Sequence, residues 1–166
     1  MADAVRAQHV GEVRGPVSYA IFRVARSHRM LAGMLLADLG LYPGQELVVM
    51  MLGDAGPMEQ KDLVDQLGTH ASTVTKMVQR LERAGFVRRR RSTRDARGML
   101  VELTEHGAGL ARELQSVWAE IEELTLAGLS EAQRKALLPA LTRLERSIGA
   151  AVRERQKPGC TLPPGD

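Results

Sequence analysis

Between Arg88 and Arg97 the chain places Arg88, Arg89, Arg90, Arg91, Arg94 and Arg97 within ten residues, with Asp95 the single acid among them. Guanidinium groups at that density suit a polyanion such as a sugar-phosphate backbone, although a like-charge run can equally be a solvated segment. The stretch before it narrows the choice. From His70 to Ala84, Val74, Met77, Val78 and Leu81 fall on one side of a helical wheel, and Ser72, Thr73, Lys76, Gln79, Arg80 and Arg83 on the other. Hydroxyl, amide and cationic groups so spaced match the base edges and phosphates of a major groove, which accepts an α-helix. Ser72 and Thr73 lie in the first turn, where the helix dipole favours phosphate oxygen, and Lys76 and Arg80 follow one and two turns later. At the tip of the arginine run, Asp95 and Arg97 are close enough for the carboxylate to orient the guanidinium, as insertion into a narrow minor groove requires. The candidate DNA contacts are therefore His70, Ser72, Thr73, Thr75, Lys76, Gln79, Arg80, Arg91, Arg94 and Arg97, with Asp95 as support for the last.

Other chemistries find little footing. His9, His28, His70 and His106 are scattered without metal-ligand or general-base spacing, and no glycine-rich phosphate loop or nucleophile motif occurs. Cys160 is the only cysteine and sits among Pro158, Gly159, Pro163 and Pro164, which excludes an intramolecular disulfide and a cysteine-rich metal site. No catalytic residue, metal or cofactor is expected.

The elements that must position these groups can be read from periodicity. Residues 1–15, which show no helical apolar face, are expected to be a loose arm. Pro16 opens a long amphipathic helix in which Val17, Ile21, Val24, His28, Leu31, Leu35 and Leu39 make one stripe, ending near Gly40. A second, largely buried helix is expected to begin around Pro43 and to stop at Gly53 to Gly56. Two short helices then bracket a turn at Gly68 and Thr69, the first burying Leu63, Val64 and Leu67. Gly85 closes the second as a left-handed cap, and Phe86 and Val87 start a strand that carries the arginines. Met99–Leu103 returns as the other strand of a hairpin. Thr104 can cap a fifth helix striped by Leu110, Leu114, Val117, Trp118, Ile121 and Leu124. Ser130 and Gln133 form a capping box for a sixth of about 20 residues, with Leu137, Leu141, Leu144, Ile148 and Val152 on one side.

The fold class expected is mainly α with a small β-hairpin wing. A winged helix-turn-helix lobe over about 43–104 joins terminal helices over about 16–40 and 105–152, making one unit from 16 to 152 followed by a helix end and loose tail. The small middle lobe cannot cover three long apolar stripes, so the terminal helices are expected to cover one another within and between two chains as a symmetric homodimer. With 166 residues, 44% apolar, a formal net charge of +3, no secretory signal and no transmembrane run, the expected location is the cytoplasm, with no membrane partner. A non-specific architectural DNA-binding protein and a helical protein–protein adaptor are the competing readings, and the adaptor leaves the wing arginines without a task.

The order of motifs resembles the multiple antibiotic resistance regulator (MarR) family of winged-helix transcription factors. The resemblance runs through Leu63-Val64-Asp65-Gln66-Leu67-Gly68, then Ser72 to Val87, then Arg94-Asp95-Ala96-Arg97 and Val101-Glu102-Leu103-Thr104-Glu105-His106-Gly107, and covers roughly residues 16 to 152. It implies a homodimeric, sequence-specific regulator of a pseudo-palindromic double-stranded operator, a repressor relieved by a small phenolic or aromatic acid bound between the dimer helices and the winged lobe. Arg26, His28, Tyr42 and Trp118 are the candidate lining of that effector pocket. The reactive cysteine that oxidation-sensing members carry near the start of the first helix has no counterpart here.

Overall fold

The computed structural model describes residues 15–92 and 98–155. Its contacts divide the chain into a unit ending at Leu124 and a second from Thr125 onward.

In the first unit, helix α1 spans Pro16–Ala37, with Pro16 in the first turn, where a missing N–H costs nothing. It stops three residues before Gly40, because the N–H groups of Leu39 and Leu41 both turn back to the Leu36 carbonyl. Only Ala32 and Leu36 are buried, so the first half of the expected stripe is open: Val17 is 61% and Val24 64% exposed. Helix α2 covers Gln45–Ala55 and starts later than Pro43 suggests. Its own first-turn side chains build the entry turn. Gln45 Oε1 accepts the Tyr42 N–H at 2.9 Å and Glu46 Oε2 accepts the Gly44 N–H at 2.6 Å. Gly53 does not stop the helix. It faces Ala111, and the helix runs on to Gly56.

A two-residue strand, β1 (Met58–Glu59), was not visible in the alternation pattern; it pairs with β3 (Met99–Leu103), which also pairs with β2 (Val87–Arg91). The antiparallel sheet has the order β1-β3-β2. Between β1 and β2 lie α3 (Gln60–Leu67) and α4 (Ala71–Arg83), the two short helices expected around Gly68. Val74, Val78 and Leu81 of α4 are fully buried against a core that includes Leu36, Val48, Val49, Leu63 and Val101.

Helix α4 ends in a Schellman turn: Phe86 N–H donates to Leu81 O at 2.9 Å and Gly85 N–H to Glu82 O at 3.0 Å. Gly85 supplies the left-handed residue with φ +78°, as the sequence indicates. The turn is joined to the start of α5 (Glu105–Leu126) through Thr104. The Thr104 hydroxyl donates to Gly85 O at 2.6 Å and accepts the Gly107 N–H at 3.0 Å, which is the expected cap. Gly107 comes so near that a Cβ would lie 1.9 Å from Phe86 O, and the Phe86 and His106 rings meet at 4.7 Å. The exit of α4 and the start of α5 thus form one joint.

In the second unit, helix α6 spans Glu131–Arg155, 25 residues with Pro139 inside it. The capping box forms: Ser130 N–H donates to Gln133 Oε1 at 2.9 Å and Gln133 N–H to Ser130 Oγ at 3.4 Å. None of its residues is buried.

Candidate nucleic-acid interface

Helix α4 is the second helix of a helix-turn-helix, and its outer side is built as the wheel suggests. Ser72, Lys76, Arg80 and Arg83 are exposed, and Thr73, Thr75 and Gln79 half-buried. Its first turn contains no acidic residue and no side-chain cap. The positive end of its dipole therefore has no acidic side chain of its own to offset it, which suits a phosphate. His70 stands at the N-cap, where its backbone carbonyl accepts from Thr73 and Val74 while its exposed imidazole makes no capping bond. Thr75 is tied inside the lobe: its hydroxyl donates to Ala71 O at 2.8 Å and accepts from Gln60 Nε2 at 2.9 Å, bracing α4 against α3.

The strand arginines behave differently from those of the helix. In β2 alternate residues face opposite sides of the sheet. Arg88, directly opposite Glu102 in the register, pairs with it at 2.7 Å, and Arg90 reaches the same carboxylate at 3.3 Å. Arg89 faces the other way, toward α4, and binds Glu82 Oε2 through Nε at 2.9 Å and Nη2 at 2.6 Å. These ion pairs hold both carboxyls below the ordinary glutamate value of 4.5, the largest cause being the side-chain hydrogen bond from Arg89 to Glu82 and from Arg88 to Glu102. Arg91 is exposed and has no ion pair among the described residues. At the wing's base the Ser92 hydroxyl donates to Glu59 of β1. Arg94, Asp95 and Arg97 lie outside the described residues. The sequence reading missed Glu82 and Glu102; for Glu102 the hairpin register was the available signal.

The sequence profile of the MarR family matches residues 41–99, which hold α2, the helix-turn-helix and most of the wing. The HTH-type transcriptional regulator YwoH of Bacillus subtilis is 33% identical over 121 residues, covering 71% of this chain and 88% of that protein. The chain belongs to the MarR family. Its fold is similar to that of BpsR from Bordetella bronchiseptica, a structure concerned with regulation of DNA binding by 6-hydroxynicotinic acid. The TM-score is 0.73 at 25% identity, over 78% of this chain and 98% of that one. A mutant MarR from E. coli bound to operator DNA gives the same TM-score at 23% identity, covering 78% and 94%. Like its relatives in the MarR family, the chain is a DNA-binding transcriptional regulator. No helix among the described residues is long and apolar enough to cross a membrane, and no group of three or more His, Cys, Asp or Glu among them could hold a metal ion.

The four residues picked for an effector pocket of the MarR kind are spread over three places. Arg26 is exposed on α1. His28, half-buried on the same helix, is close enough to Glu46 for its charge to favour that carboxylate. Glu46 is 4% exposed, and burial, the largest influence on it, raises its pKa above the ordinary 4.5. Tyr42, in the turn between α1 and α2, puts its ring 5.4 Å from the Arg80 guanidinium. An open cleft of about 390 Å³ there is lined by Tyr42, Gln45, Arg80, Arg83 and Phe86, and neither Arg26, His28 nor Trp118 belongs to its walls. Trp118 is half-buried on α5, and its buried indole N–H has no acceptor among the described residues.

Proposed function

We propose that this regulator acts in the cytoplasm as a homodimeric repressor that reads a pseudo-palindromic operator and is released from it by a small aromatic acid. The observation that carries the dimer is uncovered apolar surface on both long terminal helices. Val17, Ile21 and Val24 of α1 are 61%, 39% and 64% exposed, and Leu141, Leu144, Ile148 and Val152 of α6 are 50%, 39%, 51% and 48% exposed. Apolar stripes on that scale mark an interface, and a second copy of the chain supplies matching stripes by symmetry. A two-fold dimer then presents two copies of α4, which is the geometry that selects paired half-sites.

Within each copy, α4 enters the major groove, with Ser72, Thr73, Lys76, Gln79 and Arg80 toward the duplex, and the wing with Arg91, Arg94 and Arg97 tracks the flanking backbone and minor groove. Sequence-specific binding is favoured over general electrostatic attachment because Arg88, Arg89 and Arg90 are already ion-paired within the lobe, Arg88 and Arg90 sharing Glu102 and Arg89 on Glu82. The effector reading draws support from the buried Trp118 indole N–H, since a buried donor left without an acceptor is costly and a carboxylate or carbonyl would satisfy it. The test is light scattering of the full chain with and without residues 130–166, followed by duplex binding of both. A dimer that is lost with operator binding on truncation is expected; a full-length monomer at micromolar concentration overturns the proposal. A panel of aromatic carboxylates should weaken operator binding by about 1–3 kcal/mol, and a panel without effect removes the effector from it.

A further inference from the structure

Arg80 stands on the same side of α4 as Lys76, one turn further on, and no acid pairs with it among the described residues. Its neighbour is Tyr42, which comes from outside the helix-turn-helix and whose ring lies 5.4 Å from the guanidinium carbon. The Tyr42 backbone is held at both ends, its N–H donating to Gln45 Oε1 at 2.9 Å and its carbonyl accepting the Gln45 N–H at 3.0 Å. Leu41 before it and Gln45 after it are each 4% exposed, so the turn is anchored in the core while the Tyr42 side chain stays 65% exposed. A long side chain on a solvated helix face ordinarily samples many rotamers. An arginine in contact with an aromatic ring carried on an anchored turn is restricted to fewer, and a cation–π contact uses none of its N–H donors as hydrogen bonds, so they remain available to a further partner.

From this we infer that Tyr42 is a positioning residue for DNA readout: it orients Arg80 on the recognition helix so that the guanidinium meets one base edge in a set geometry. The inference rests on the reading of α4 as the helix that meets DNA. Tyr42 is thereby moved from a ligand pocket to the recognition surface, and the turn between α1 and α2 becomes part of what sets operator preference. Because the charge of Arg80 is present with or without the ring, loss of Tyr42 should reduce discrimination between sequences and leave the salt dependence of binding unchanged.

The experiment is a double-mutant cycle on the full chain, with a duplex selected by that chain from a random pool and a shuffled duplex of equal length, at several salt concentrations. Tyr42→Leu should weaken binding to the selected duplex about two- to five-fold per protomer, the range of an exposed cation–π contact, and spare the shuffled one. Tyr42→Phe keeps the ring and should bind like wild type. In the Arg80→Ala background Tyr42→Leu should add nothing. Additive losses, or a Tyr42→Leu chain that binds both duplexes as well as wild type or more tightly, would overturn the inference. If Arg80→Ala alone is silent, the placement of Arg80 at the duplex fails with it; a strong Arg80→Ala effect beside a silent Tyr42→Leu overturns the role of Tyr42 alone. Melting curves of each variant identify any loss that comes from unfolding.

Discussion

The recognition helix and the first wing strand are both rich in cations, and they use them in opposite ways. On α4, Lys76, Arg80 and Arg83 face solvent without a carboxylate partner among the described residues. On β2, Arg88, Arg89 and Arg90 are each bound to a glutamate. Three of the four arginines on β2 are thus engaged by carboxylates, while the cations on the helix carry no such partner among the described residues. Arg89 and Glu82 instead fasten the strand to the last turn of α4.

The largest effect that would sharpen this contrast is on DNA affinity. Replacing both Lys76 and Arg80 by alanine should cost about 2–5 kcal/mol of operator binding per dimer and lower the salt slope, whereas Arg88→Ala with Arg90→Ala should change either by much less. Equal losses in the two double variants, measured by anisotropy at matched salt, would erase the distinction. Next comes the fastening pair. Glu82→Ala removes a partly exposed ion pair in which two guanidinium N–H groups share one carboxylate oxygen, so about 1 kcal/mol of stability should go after allowance for solvent screening. It also frees Arg89, and binding to shuffled duplex should rise while discrimination falls; unchanged discrimination would show that the pair does not hold the wing.

The same pair gives a pH dependence whose sign follows from its shift. Glu82 has a folded-state pKa below the unfolded one, so its contribution is full above the ordinary value of 4.5 and is lost as pH falls through the lowered value. Wild type should therefore lose its stability advantage over Glu82→Gln only below about pH 4.5, as followed by thermal melts across pH 3 to 7. An advantage that grows toward acid would contradict the assignment. The smallest effect expected is at Glu46, where burial raises the pKa and the charged form is the costly one. Glu46→Gln keeps an acceptor for the Gly44 N–H and removes the charge, so it should match or slightly exceed wild type at pH 7 and lose that margin as pH falls and Glu46 takes up its proton. A clear loss of stability at pH 7 would show instead that the backbone hydrogen bonds to the charged carboxylate outweigh burial.

What could be read from the residues, and what could not, follows the range of the interactions involved. Thr104, Ser130 with Gln133, and Gly85 act on neighbours a few positions away, and each does in the structure what its local chemistry suggests. The buried side of α4 was legible because periodicity alone determines it. Pro43 misled as a helix start, since the Tyr42 and Gly44 N–H groups are met by the side chains of Gln45 and Glu46 and the helix begins there. Gly53 looked like a stop because its packing partner, Ala111, lies on α5. Strand β1 is two residues long, too short to alternate, and exists only because β3 is there to pair with it. The pairing of Arg88, Arg89 and Arg90 needed the register of the hairpin and the end of α4 together, and the contact of Tyr42 with Arg80 needed the packing of the turn between α1 and α2 against α4.

The most direct test of the account is the stoichiometry and sequence dependence of duplex binding by the unmodified chain. Sedimentation or light scattering of the complex with a duplex selected from a random pool, combined with anisotropy against shuffled competitors at fixed salt, gives both at once. Two chains per selected site, with affinity at least about a thousand-fold above the shuffled duplex, is the predicted result. One chain per site, or equal affinity for selected and shuffled duplexes, would contradict it.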